Sequence, residues 1–241
     1  MKKVAYYAVL VILIGVFAVS AYKIGGYYWA KHKSDTVTQE VAQYVHIEQP
    51  AVEEEPEMIE VDFKSLQEIN SDIVAWIYCP GTQINYPVVQ GGDNAYYLNH
   101  LLDGSYNVNG TIFMDFRGAA DFSDFNNILY GHHMKSGAMF ANIIKYQDPK
   151  FYDAHPCMYL FTPEQNYKLE LFAGLLVAAD DGVYSSDLSM DYLQYLVGRS
   201  NFTSPVSISG DDTIVTLSTC SYEFEDARYI VLAKMVPKEE P

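Results

Sequence analysis

Residues 213–234 constrain the fold of this chain more than any other stretch. A β-branched and apolar run ends in Cys220, a short acidic loop follows, and Arg228 opens a second apolar run. Such a pattern is typical of a strand, a turn and a second strand. If the strands pair antiparallel, Cys220 lies beside Arg228, and a fixed cation there favours thiolate or other developing negative charge. The alternative is a buried structural cysteine and a surface arginine.

The composition limits the size of the fold and its partners. The chain has 241 residues and a formal net charge of −16. Without a terminal tail, about 180 residues remain, enough for one well-cored domain. We expect no nucleic-acid binding, because phosphates are bound through an excess of Lys and Arg. The three cysteines lie far apart without a CxxC motif, so we expect no metal, no cofactor and no disulfide scaffold.

The N-terminal segment predicts a membrane anchor. Lysines at positions 2 and 3 precede an uncharged stretch from Val4 to Tyr22, which is just long enough to cross a bilayer as a helix. A cleavable signal peptide is the alternative, with residues 19–21 as a small-residue cleavage site. The anchor is favoured because the stretch exceeds a usual signal core. Lysines on both sides leave the orientation open.

Residues 24–60 are expected to form an acidic, flexible stalk. The run Glu53-Glu-Glu-Pro-Glu57 is highly charged, and few large apolar residues surround it. Such a segment cannot bury enough surface to fold alone. A solvated helix that continues from the anchor is the alternative for residues 34–48. The folded domain is expected over residues 61–241.

The remaining sequence predicts a mostly β domain with peripheral helices. Strands are rarely separated by helices, which favours a β-barrel over a doubly wound α/β sheet. Besides the final pair, strands are predicted at 73–78, 84–89, 111–115, 127–133, 158–161 and 167–177, and helices at 62–70, 138–146 and 189–198.

His132 and His133 are the histidines best suited to chemistry, because they end an apolar strand directly after a glycine. If that strand end lies at the same rim as Cys220, a Cys/His pair results, with Arg228 beside it. A structural histidine hydrogen-bonded in a turn is the alternative for either residue. The order of His before Cys differs from papain-like proteases, and the caspase-type cysteine motif is absent.

Three motifs together resemble the sortases, the membrane-anchored cysteine transpeptidases of Gram-positive bacteria. They are Tyr-Gly-His-His at 130–133, Thr-Leu-Ser-Thr-Cys at 216–220, and the arginine eight residues after the cysteine. The segment Asn94-x-x-x-Leu98, the helix before the first strand and the helix before the cysteine strand resemble class B. The resemblance covers about residues 62–236.

This resemblance implies a closed eight-stranded barrel that follows an uncleaved N-terminal anchor in the chain. The chain would be a single-pass protein of the cell membrane, with residues 1–23 as cytoplasmic tip and transmembrane helix and residues 61–241 as an extracellular catalytic domain. By the same resemblance, Cys220 is the nucleophile, His132 the general acid and base in preference to His133, and Arg228 the group that orients the substrate and stabilises the oxyanion. The implied substrate-binding residues are Asn94, Leu98, Tyr130 and Ser218.

The implied reaction begins with secreted proteins that carry a C-terminal sorting motif. The motif is cleaved, a thioester acyl-enzyme forms, and the acyl group passes to an amine of a cell-wall precursor of the lipid II type. Two enzymatic alternatives are a pilin-polymerising sortase that uses a lysine amine and a membrane-tethered cysteine protease. A tethered domain that binds a peptide without turnover is the non-enzymatic alternative.

Overall fold

The final pair of predicted strands is present and closes a barrel. The structure, a computed structural model, describes residues 2–48 and 58–238. Strand β9 (Ile214–Cys220) pairs antiparallel with strand β10 (Ala227–Pro237), and Cys220 lies directly opposite Arg228. The earlier strands are β1 (Val45–Glu48), β2 (Met58–Val61), β3 (Ile73–Tyr78), β4 (Asn85–Val89), β5 (Phe113–Met114), β6 (Asn126–Tyr130), β7 (Cys157–Phe161) and β8 (Asn166–Ala178).

Eight of these strands form a closed barrel in the order β10-β8-β7-β3-β4-β5-β6-β9. The pairs β4–β5 and β6–β9 are parallel, and the other neighbours in the barrel are antiparallel. The expected closed eight-stranded barrel with peripheral helices is therefore confirmed. The helices are α1 (Lys2–Ala42), α2 (Phe63–Ile69), α3 (Pro149–Ala154) and α4 (Met190–Val197), with 3-10 helices at Tyr96–Leu98, Phe140–Gln147 and Gly182–Tyr184.

Strand β9 is buried on both faces, which explains its nearly continuous apolar sequence. Val215 and Leu217 belong to the cluster inside the barrel, whereas Ile214 packs outside, under helix α4. Because successive side chains of a strand point to opposite faces, Cys220 shares the outer face with Ser218. The chemistry predicted for Cys220 therefore belongs on the outside of the barrel, at the end of β9.

Helix α1 differs from the expected stalk. It runs without a break to Ala42, and Val37 and Val41 are buried against the domain. Their i, i+4 spacing places them on one face of the helix. That face packs against the domain, although the composition alone predicts a solvated segment. The prediction of a flexible stalk over residues 24–60 is thus wrong for residues 24–42. Strands β1 and β2 pair with each other, and the acidic run at 53–57 lies outside the described residues.

Two smaller predictions also change. The strand expected at 111–115 is reduced to Phe113 and Met114. The α-helix expected at 138–146 is a 3-10 helix, in which Phe140, Ile143 and Tyr146 are buried. Their three-residue spacing matches the 3-10 period, so all three side chains face the barrel core together.

Helix α1 is the one described helix that is long and apolar enough to cross a membrane. Its most apolar window has a mean hydropathy of 2.4 and is not buried against the rest of the described chain. This agrees with the predicted N-terminal anchor.

Candidate active site

An open groove on the outer face of the barrel brings together the seven residues that the family resemblance assigns to catalysis and substrate binding. Its volume is about 630 Å³. The segment before β5, the ends of β6 and β9, and the start of β10 all contribute to its walls. The groove is lined by Asn94, Leu98, Tyr130, His132, Ser218, Cys220 and Arg228, together with Phe113, Arg117, Tyr184 and residues 179–182.

Cys220 and Arg228 are neighbours because β9 and β10 pair in a register that sets them opposite each other. Both side chains are half-buried. One guanidinium nitrogen, Nη1, donates a hydrogen bond to the backbone oxygen of Ala227 at 3.0 Å. A guanidinium carries five N–H donors in a planar fork, so donors remain for charge that develops beside the thiol.

His132 is positioned by its neighbours in the chain. A side chain at Gly131 would meet the Phe140 ring at 2.7 Å, so only glycine permits this close approach. The backbone oxygen of His132 accepts a hydrogen bond from the Phe140 amide at 3.1 Å. These contacts fix the backbone from which the imidazole projects into the groove.

The imidazole is held by a carbonyl rather than by a carboxylate. His132 Nε2 lies 2.6 Å from the backbone oxygen of Leu98. Because a carbonyl can only accept a hydrogen bond, Nε2 carries the proton. In the neutral ring, Nδ1 is then the nitrogen with a free lone pair, available to accept and release a proton.

His133 lies in a different environment from His132. Its ring packs against Tyr222 with centroids 5.7 Å apart, and its backbone forms an isolated bridge with Met139. His133 is not among the residues that line the groove. The geometry therefore favours His132 as the histidine available to Cys220.

A buried carboxylate organises the far wall of the groove. Asp115 is 3 % exposed and accepts hydrogen bonds from Arg117 Nε at 2.9 Å and Nη2 at 2.7 Å. Asn94 Nδ2 and the Tyr130 hydroxyl donate to the same carboxylate, each at 3.0 Å. Burial alone would raise the pKa of Asp115, but these donors, led by Arg117, outweigh it and lower the pKa to about 2.

This network fixes the orientation of Asn94. Its Oδ1 accepts a hydrogen bond from the Phe116 amide at 3.0 Å, while Nδ2 donates to Asp115. The amide therefore cannot flip without losing both bonds. Nδ2 has two hydrogens, so the second is available to an acceptor in the groove.

Tyrosine rings form the remaining wall. The Tyr184 hydroxyl lies 2.8 Å from Ser218 Oγ, and the Tyr184 and Tyr130 rings stack with centroids 6.0 Å apart. Burial raises the pKa of Tyr184 to about 12. At neutral pH this wall is therefore uncharged, with hydroxyls fixed by specific partners.

Asp115, Arg117 and Tyr184 were not selected from the sequence, although all three belong to the site. A signal for Asp115 is available, because it is a charged residue directly after an apolar strand. Tyr184 lies in an irregular segment without periodicity, where no comparable signal exists. Within residues 2–48 and 58–238, no group of three or more His, Cys, Asp or Glu side chains could hold a metal ion.

Comparison with known proteins adds independent findings. Residues 77–236 match the family model for the sortase domain. A curated relative, sortase B of Listeria monocytogenes, is 35 % identical over 234 residues, which cover 94 % of this chain and 95 % of the relative. Sortase B of Staphylococcus aureus is 35 % identical over 208 residues, covering 82 % of this chain and 85 % of the relative.

Solved structures agree with the sequence comparisons. A crystal structure of sortase B from Bacillus anthracis superposes with a TM-score of 0.74 at 34 % identity, covering 89 % of this chain and all of that one. A 2.0 Å crystal structure of the Staphylococcus aureus protein gives a TM-score of 0.69 at 34 % identity, covering 73 % of this chain and 87 % of that one.

Proposed function

This chain belongs to the sortase family, as a class B sortase and hence a cysteine transpeptidase, and we propose its reaction, catalytic residues and partners accordingly. The proposed substrates are secreted proteins with a C-terminal sorting motif. The motif is cleaved through a thioester on Cys220, and the acyl group is transferred to the amine of a cell-wall precursor.

The observation that carries this proposal is the meeting of three side chains in one groove. Cys220 and Arg228 face each other across paired strands, and His132 lines the same groove from the end of β6. A nucleophile, a proton carrier and a fixed cation are the groups that acyl transfer through a tetrahedral intermediate requires.

In the first half-reaction, the Cys220 thiolate attacks the carbonyl carbon of the scissile peptide bond. A C–S bond forms, and the carbonyl oxygen becomes an oxyanion that the Arg228 guanidinium stabilises through its free N–H donors. His132, as imidazolium, donates its Nδ1 proton to the leaving nitrogen. The C–N bond breaks, and the product amine departs from a thioester acyl-enzyme.

In the second half-reaction, an incoming amine attacks the thioester carbon. Neutral His132 accepts a proton from that amine at Nδ1, while its Nε2 keeps the hydrogen bond to Leu98. The C–S bond breaks, a new amide forms, and Cys220 leaves as thiolate. The histidine is used in opposite protonation states in the two halves, so the cycle returns every group to its initial state.

We assign recognition of the sorting motif to the walls of the groove. The second Nδ2 hydrogen of Asn94 suits a backbone carbonyl of an extended peptide, and Leu98 supplies an apolar contact. Tyr130 and Ser218 line the path toward Cys220. A solved structure of Staphylococcus aureus sortase B is a complex with substrate, and we assign substrate binding in this chain to the groove.

The amine acceptor is proposed to be a cell-wall precursor of the lipid II type. A crystal structure of a sortase B in complex with triglycine supports an amino-terminal glycine as the attacking group. We further propose that residues 1–23 form an uncleaved single-pass anchor and that the catalytic domain within residues 61–241 lies outside the cell. An extracellular domain has access to both secreted substrates and wall precursors.

The test uses the full-length chain in detergent micelles with peptides of the Asn-Pro-x-Thr-Asn and x-Pro-x-Thr-Gly types. Products are followed by mass spectrometry with and without triglycine. We expect a cleaved peptide joined to triglycine, with the product lost in Cys220→Ala and His132→Ala. His133→Ala is the matched control and should retain activity. Release of free acid even with triglycine present would favour a protease, and transfer to a lysine peptide but not to triglycine would favour pilin polymerisation.

A further inference from the structure

Helix α1 is joined rigidly to the catalytic domain, and the junction begins at Ala30. Up to Trp29 the described helix is exposed, and from Ala30 onward it contacts the domain. The Asn107 side chain donates a hydrogen bond to the backbone oxygen of Ala30 at 2.8 Å. One turn later, Lys33 pairs with Asp103 at 3.6 Å. The loop that contains Asp103 and Asn107 is therefore the edge of the domain nearest the predicted membrane span.

The distance from the span to this edge is short. The uncharged stretch ends at Tyr22, and Ala30 follows eight residues later, about 12 Å along a helix that rises about 1.5 Å per residue. The headgroup region adds about 5–7 Å to each side of a hydrocarbon core of about 30 Å. A helix tilted by the usual ~20° brings one side of the domain closer still. The edge thus lies close to the lipid headgroups.

Two exposed apolar side chains occupy this edge. Tyr106 is 65 % exposed and Val108 is 54 % exposed, one on each side of Asn107. Together with Asp103, Gly104 and Ser105 they form the segment at residues 103–108, which we call the membrane-proximal loop.

The membrane-proximal loop is well ordered. The Leu101 amide donates to the Ser105 oxygen at 3.0 Å, and the Asn107 amide donates to the Asn99 oxygen at 2.9 Å. His100 also contacts the Tyr106 ring edge-on, with centroids 6.0 Å apart. The exposure of Tyr106 and Val108 is therefore a fixed feature of the fold.

The adjoining part of helix α1 has the composition of a membrane interface. Tyr28 and Trp29 are 64 % and 65 % exposed, and Tyr27 is 38 % exposed. Tyrosine and tryptophan are enriched at the headgroup level of membrane proteins, because their rings are apolar and their tips are polar. The loop adds a further tyrosine next to Asn107, which bonds Ala30 directly after this aromatic segment.

We propose that the membrane-proximal loop inserts Tyr106 and Val108 into the headgroup region of the bilayer and seats the catalytic domain on the membrane. This inference rests on the proposed anchoring by α1, because that helix brings the loop to the lipid. The segment that leads into the loop supplies Asn94 and Leu98 to the groove. Seating the loop therefore fixes the height of the groove above the membrane, which suits a lipid-linked amine acceptor.

The test measures the contact by tryptophan fluorescence, without any need for catalysis. The full chain is placed in nanodiscs whose lipids carry a nitroxide quencher on the headgroup. Trp29→Phe provides the background, since the other tryptophan, Trp76, is fully buried. Tyr106→Trp is compared with Tyr195→Trp, which changes another exposed tyrosine. Tyr195 lies on helix α4, and this helix packs in a different apolar cluster from helix α1.

We expect the added fluorescence of Tyr106→Trp to fall by a third or more and that of Tyr195→Trp to stay within a tenth. Equal quenching at the two positions, or none at position 106, would overturn the proposal. Trp29 in the unmodified chain reports the anchor separately: quenching there but not at position 106 would leave the anchor in place and reject only the seating of the loop.

A second experiment distinguishes an effect of the loop on membrane seating from an effect on the catalytic reaction. Tyr106→Ser combined with Val108→Ser should lower the transfer rate to a membrane-embedded amine at least threefold and leave transfer to triglycine unchanged. The control pair, Tyr195→Ser and Val197→Ser, has the same sequence spacing at two exposed positions of helix α4 and should change neither rate. Equal loss with both acceptors in the loop variant would contradict the proposal.

Discussion

At the scale of single residues, the Leu98 carbonyl determines which nitrogen of His132 carries the proton. Its distance of 2.6 Å from Nε2 requires the Nε2–H form in the neutral ring. We therefore predict the Nε2–H tautomer for His132, measured by 15N chemical shifts of the labelled chain. Comparison with His132→Gln assigns the signal. A neutral ring protonated at Nδ1 would contradict the geometry, because two acceptors would then face each other at hydrogen-bonding distance.

Arg228 is proposed to act through its planar fork of donors rather than through charge alone. Arg228→Lys keeps the charge but loses the fork, so kcat should fall about 100-fold or more, the usual cost of removing an oxyanion donor. Arg199→Lys, at an exposed arginine after helix α4, is the matched control. Kinetics with a sorting peptide and triglycine measure both variants. A decrease of less than threefold for Arg228→Lys would contradict the proposed role.

At the scale of elements, the short strand β5 matters because it delivers Asp115 to the groove wall. The pKa of Asp115 is lowered from 3.8 to about 2, which corresponds to about 2 kcal/mol of stability. A group with a depressed pKa contributes this stability above pH ~4, and the contribution is lost as the pH falls toward 2.

Asp115→Asn should therefore lower the free energy of unfolding by about 2 kcal/mol at pH 7, and by progressively less between pH 4 and pH 2. Urea unfolding of the two proteins across this pH range measures the difference. Asp211→Asn, at an exposed aspartate, is the control and should have little effect at any pH. If the free energies of unfolding of Asp115→Asn and the unmodified chain differ by a constant amount down to pH 2, the ionised carboxylate is not the source of the stability.

The packing of the 3-10 helix against β6 gives a second prediction at this scale. A Cβ at position 131 would lie 2.7 Å from the buried Phe140 ring, so Gly131→Ala should destabilise the fold by about 1–3 kcal/mol through overpacking. It should also reduce activity, because Phe140 helps to hold the backbone of His132. Gly210→Ala, where nothing lies within 4 Å, is the control. Equal melting temperatures of the two variants would refute the close-packing argument.

At the scale of the whole molecule, the features that could be predicted are those that depend on residues close together in the sequence. The register of β9 and β10 was predictable because both runs are apolar and only a short loop joins them. The docking of α1 was not, because the burial of Val37 and Val41 depends on Leu101 and Leu102, which lie far along the chain.

The same distinction applies to the active site. Sequence motifs at strand ends contain Cys220, His132 and Arg228, so these residues could be selected from the sequence. Asp115 has its partners at positions 94, 117 and 130, and Tyr184 has Ser218 as its partner. Apart from the local bond between Asp115 and Arg117, these hydrogen bonds join residues 15 or more positions apart, so they form only when the barrel closes and leave no periodic pattern in the sequence.

Cys220 is proposed to carry the acyl group between the two substrates, and intact-mass spectrometry of the full-length chain detects that intermediate. With a sorting peptide and no amine, we predict a mass increase equal to the acyl part of the peptide, located on the fragment that contains Cys220. Addition of triglycine should remove the adduct and yield the joined peptide. A joined peptide formed with no adduct on Cys220, or an adduct on a different residue, would show that Cys220 is not the acyl carrier.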